Sequence, residues 1–132
     1  MTARGVSIAL VVVGVAACST PAPVPEGYAF PTWHVGGSGA AALLEGDLQV
    51  DAGCLYAQPP LGRRYLVVWP DTLRLVIDNG TPVVLDGERI VARSGEAVRL
   101  GGGEIGPYLV PSSADACDRN QVWGANTIVP PG

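Results

Sequence analysis

Lysine is absent from the 132 residues, and the eight basic side chains are all Arg, dispersed along the chain. Against 12 acidic residues they leave a formal net charge of −4. Dispersed Arg under a negative balance offers no basic stripe able to neutralise successive phosphates, which argues against nucleic-acid binding. Met1 is the only Met and His34 the only His. With one imidazole and no CxxC spacing the usual His/Cys ligand sets are missing, so neither a metal nor another cofactor is expected. No stretch sustains a 3.6-residue apolar period, and 18 Gly with 12 Pro argue against a bundle of long helices. What is present is 48% hydrophobic content, too apolar for a wholly disordered chain, over a length suited to one small domain.

Residues 1–17 read as an export signal, to be set aside before any fold reasoning. Arg4 supplies a short positive region, and Val6 to Val15 is an apolar run broken only by Ser7 and Gly14. That run is shorter than the roughly 20 apolar residues needed to span a bilayer. It ends in Val15-Ala16-Ala17-Cys18. This ending resembles the lipobox of bacterial lipoprotein precursors: an aliphatic residue, two small ones, then Cys. The resemblance implies diacylglyceryl transfer to the Cys18 sulfur, cleavage before Cys18, and often acylation of the new amine. Membrane lipid then becomes a partner, and the location is extracytoplasmic and lipid-anchored. Each buried methylene contributes about 0.8 kcal/mol, so two or three acyl chains hold essentially permanently. With no Lys in the chain, an N-acylated product would carry no primary amine.

Setting Cys18 aside leaves Cys54 and Cys117, an even pair. Outside the cytoplasm two such thiols most simply form one disulfide. Closing a loop of roughly sixty residues would contribute up to about 4 kcal/mol in the chain-entropy account. A small domain with a limited core has use for that staple.

Segment 18–39 carries Pro21, Pro23, Pro25 and Pro31 among Gly, Ser and Thr, the composition of an extended tether. Tyr28, Phe30 and Trp33 lie within it, and three aromatics in a spacer suggest docking on the domain that follows. From residue 40 to 132 the punctuation is that of an all-β domain. Leu48 and Val50 alternate with polar neighbours, and Asp51-Ala52-Gly53 turns into Cys54–Gln58. Pro59-Pro60 and Gly62 separate that run from Arg64–Trp69. Asn79-Gly80, Asp86-Gly87 and Ser94-Gly95 are successive hairpin signals, because their residues accept positive φ. Turns every eight to twelve residues or closer predict a small antiparallel barrel or sandwich of about six to eight short strands. One helical turn is expected near 113–118, and a last strand runs through 121–123 or 127–129.

Chemistry-bearing patterns are sparse. Gly101-Gly102-Gly103-Glu104-Ile105-Gly106 satisfies G-x-G-x-x-G, but Pro107 and Pro111 follow where a dinucleotide fold needs a helix. The glycines read instead as a bulge or tight bend at a barrel corner. Asn79-Gly80-Thr81, formally a glycosylation sequon, reads as a turn. Glu45, Asp47 and Asp51 share a strand face and form at most a weak acidic patch. Arg63 and Arg64 beside Tyr65 and Trp69 are candidates for binding an anionic or planar group, with Trp123 a further aromatic candidate. Arginines so placed more often bridge local acids or stack on aromatics. Nucleophilic catalysis would require His34 to fold against a Ser or Asp, so no enzyme is expected.

Gly53–Tyr56, Leu66–Pro70 and Val91–Gly103 resemble small lipoproteins of high-GC actinobacteria with no assigned activity. The resemblance implies a fold and leaves the activity open. The expectation is an exported, lipid-anchored binding module whose partner is an envelope protein or wall component. A small-ligand-binding protein and an envelope hydrolase are the alternatives.

Overall fold

The computed structural model describes residues 23–35 and 42–129, together with Gly5. The export signal, Cys18 and the flanking parts of the expected tether lie outside those described residues. The described chain is all-β. Its strands are β1 (Thr32–Trp33), β2 (Ala42–Asp51), β3 (Cys54–Gln58), β4 (Tyr65–Pro70), β5 (Leu73–Asp78), β6 (Thr81–Asp86), β7 (Arg89–Arg93), β8 (Ala97–Ile105) and β9 (Val122–Ile128). No helix among them is long and apolar enough to cross a membrane.

Strands β2, β3 and β4 form an antiparallel meander, and β8 returns to lie against β2. Three consecutive strands with a fourth beside the first make a Greek key. β9 then pairs antiparallel with β8 and parallel with β4, which closes a five-stranded barrel. Two pairings, β1–β4 and β4–β9, are parallel, a departure from the purely antiparallel expectation. A period of two records which face a residue takes, not which neighbour its strand chooses or in which direction. The long connection from Gly106 to Gln121 carries the chain back to the end of the barrel where β4 begins.

Local sequence explains each strand. In β2, Leu44 and Leu48 point inward while Glu45, Asp47, Gln49 and Asp51 face out. β3 and β4 are buried on both faces, which is why they read as continuous apolar runs. Leu55, Ala57, Val67 and Trp69 fill the barrel. Cys54, Tyr56, Leu66 and Val68 face outward beneath Val110, Ala114 and Cys117 of the 106–121 connection. That connection holds two 3-10 turns, Pro107–Leu109 and Ser112–Ala114, in place of the single turn expected near 113–118.

Between β4 and β8 the chain makes a separate three-stranded sheet, β5-β6-β7. Asn79 (φ 49°) and Gly80 (φ 81°) form the tight turn of its first hairpin. In the second, Asp86 pairs with Arg89 around Gly87, whose φ is 61°. Leu73, Leu75, Val84 and Ala92 turn inward and join the barrel core.

The upstream aromatics complete the packing. Phe30 is buried and stacks on Trp69 with centroids 5.5 Å apart. The Trp33 indole N–H donates to the Ala125 carbonyl at 2.8 Å. β1 is a ninth strand beyond the six to eight expected, and it comes from the segment read as tether. Part of that segment, from Tyr28 to Trp33, thus packs on the folded body.

Candidate functional site

The site lies where the three-stranded sheet meets the end of β9. Its cavity holds about 250 Å³. One wall is the β4–β5 turn, with Pro70, Thr72 and Leu73; the second comes from the β6–β7 hairpin, with Asp86, Arg89 and Val91. Asn126, Thr127 and Ile128 of β9 form the third.

Two β-bulges shape it. On β7, Ala92 pairs with Val84 and Ile90 with Leu85, so Val91 is an extra residue without an opposite number. On β9, Ala125 pairs with Gly102 and Thr127 with Gly101, so Asn126 is likewise extra. A bulge bends its strand and re-aims the side chain it carries. Both extra residues line the same cavity. Glycine at position 102 permits the second bulge, since a Cβ there would lie 1.9 Å from the Gly124 carbonyl oxygen. The sequence predicts a bulge or bend in the glycine run; the extra residue lies opposite it, on β9.

The polar groups of the cavity are not saturated. Arg89 Nη2 lies 3.7 Å from Asp86 Oδ2, longer than a charge-assisted hydrogen bond of roughly 2.7–2.9 Å. Both side chains are exposed, so the contact is a loose surface pair and the guanidinium keeps its N–H donors available. Pro70, Leu73, Val91 and Ile128 supply an apolar lining beside them.

The residues singled out in the sequence fall elsewhere. Trp69 is fully buried and Trp123 nearly so, and neither presents a ring to a ligand. Tyr65 is half-buried and meets the Trp123 ring edge to face at 5.7 Å. Arg64 is engaged on three sides: it donates to Asp51 at 2.8 Å, approaches Asp118 at 3.5 Å and lies 3.8 Å over the Tyr56 ring. The hydrogen bond to Asp51 raises its pKa above the ordinary Arg value, against the smaller opposing effect of desolvation. Arg63 is exposed and forms no ion pair among the described residues. The acidic patch dissolves into pairs, with Glu45 bonded to Arg99 at 2.9 Å and Asp51 to Arg64. Among the described residues no three His, Cys, Asp or Glu side chains gather as a metal site.

Cys54 and Cys117 form the disulfide, with Cα atoms 5.8 Å apart. His34 lies against Asp71, its Nδ1 3.3 Å from Oδ2, with the imidazole largely exposed. Among the described residues no hydroxyl or thiol hydrogen-bonds to that imidazole. Sequence reasoning missed Val91, Arg89 and Asn126. The glycine run signalled a bulge, but the residue it displaces belongs to the partner strand, whose register only the fold sets. No family model, curated protein or solved structure matches the chain.

Proposed function

We propose that this protein is exported, anchored in a membrane through an acylated Cys18, and presents its barrel as a small-ligand-binding module at the cell envelope. The observation that carries the binding reading is the convergence of two bulged residues, Val91 and Asn126, on one concavity. Bulges concentrate next to functional sites because they aim side chains that a regular ladder would turn away. The concavity is half open and lined about equally by polar and apolar groups, and at about 250 Å³ it suits a small ligand or part of a larger one.

Export and anchoring rest on the lipobox-like Val15-Ala16-Ala17-Cys18. The Cys54–Cys117 bond is consistent with an oxidising compartment. Residues 18–25, if extended, would reach roughly 20 Å at about 3.1 Å per residue before the turn that Tyr28 N–H closes onto the Pro25 carbonyl. The hydrolase alternative has one feature in its favour, the His34–Asp71 contact, and needs a nucleophile to accompany it.

Membrane fractionation tests the anchor. Cys18→Ala should move the protein out of the membrane fraction or leave it as an unprocessed precursor. Unchanged partitioning and processing would overturn the lipid anchor.

A further inference from the structure

We infer that the bulge-lined cavity recognises an N-acylated amino-acid carboxylate, such as the C-terminal residue of a peptide, with an aliphatic side chain. The inference rests on the binding reading above and assigns its ligand class. Three parts of such a ligand find matching chemistry in the same 250 Å³. Its carboxylate suits Arg89, whose exposed guanidinium lies on the cavity wall 3.7 Å from Asp86 and keeps its forked donors available. Its amide suits Asn126, a carboxamide that both donates and accepts and that makes no side-chain hydrogen bond to the described residues. Its aliphatic side chain suits the wall made by Val91, Leu73 and Ile128.

Competing ligand classes fit less well. A neutral sugar would leave the guanidinium without an anion, and no aromatic ring lines the cavity to stack on a sugar face. A nucleotide is larger than 250 Å³ and would bring several negative charges to a site with one Arg and one Asp.

The test is a titration of the full-length chain, disulfide intact and solubilised in detergent, followed by amide NMR. The probes are N-acetyl-leucine, N-acetyl-leucinamide and glucose. N-acetyl-leucine should shift the Val91 and Asn126 resonances and bind at least about tenfold more tightly than the amide, which lacks the carboxylate. Arg89→Gln should abolish that preference by weakening the acid far more than the amide, while Asn126→Ala should weaken both. Both side chains lie at the surface or partly so, and an unchanged amide spectrum away from the cavity confirms that each variant is folded. Equal affinities for the acid and the amide would overturn carboxylate recognition. Shifts with glucose but not with N-acetyl-leucine would overturn the ligand class and leave the binding reading standing. If none of the three probes moves Val91 or Asn126, both fall.

Discussion

Arg64 shows how one side chain can look functional in sequence and prove structural in space. It ties the β2–β3 turn, through Asp51, to the segment after Cys117, through Asp118, while its guanidinium covers the Tyr56 ring. Arg64→Ala should cost about 1 kcal/mol in denaturant unfolding, since partly exposed ion pairs and a cation–π contact are each worth a fraction of that to about that much. Arg64→Lys should recover only part, because an ammonium cannot be planar over the ring and forked toward two carboxylates at once. Gly102 makes the opposite demand, for the absence of a side chain. Gly102→Ala would drive a Cβ into the Gly124 carbonyl, so it should destabilise by about 3 kcal/mol, as overpacking does. The same variant should also disturb the Asn126 amide resonance, because the bulge is what places that residue.

At the level of elements, much was legible. Alternation located β2, the Asn79-Gly80 pair located a hairpin, and the even Cys count located the disulfide. These are local signals, carried by residues a few positions apart or by parity alone. The parallel β4–β9 closure was not legible, because neither strand encodes the direction of its neighbour. Nor was burial of Trp69 and Trp123: aromatic side chains beside arginines suit a binding face and a core equally well until the barrel closes around them. The docked segment containing β1 was foreshadowed by its aromatics. Phe30 finishes the core by stacking on Trp69, so Phe30→Ala should cost about 3–5 kcal/mol by thermal or denaturant unfolding. A change near zero would show that the segment is a spacer after all.

For the molecule as a whole, the barrel core, the three-stranded sheet and the capped outer face meet through a few ties, and the disulfide is the covalent one. It spans 63 positions and pins the 106–121 connection over β3. Replacing both Cys54 and Cys117 by Ala should lower Tm by at least about 10 °C in calorimetry, because roughly 4 kcal/mol of loop-closure restriction is lost. The cavity between the sheet and β9 is lined by neither cysteine.

The position of that bond also governs how the molecule withstands proteases. Leu61, nine-tenths exposed, stands at the tip of the loop between β3 and β4, inside the segment the disulfide encloses. A cut there severs the peptide backbone yet leaves both fragments joined through Cys54 and Cys117. Under non-reducing conditions the nicked protein would run as one species, and on reduction as two. A barrel anchored at its N-terminus would consequently not be shed from the membrane by a cut at Leu61.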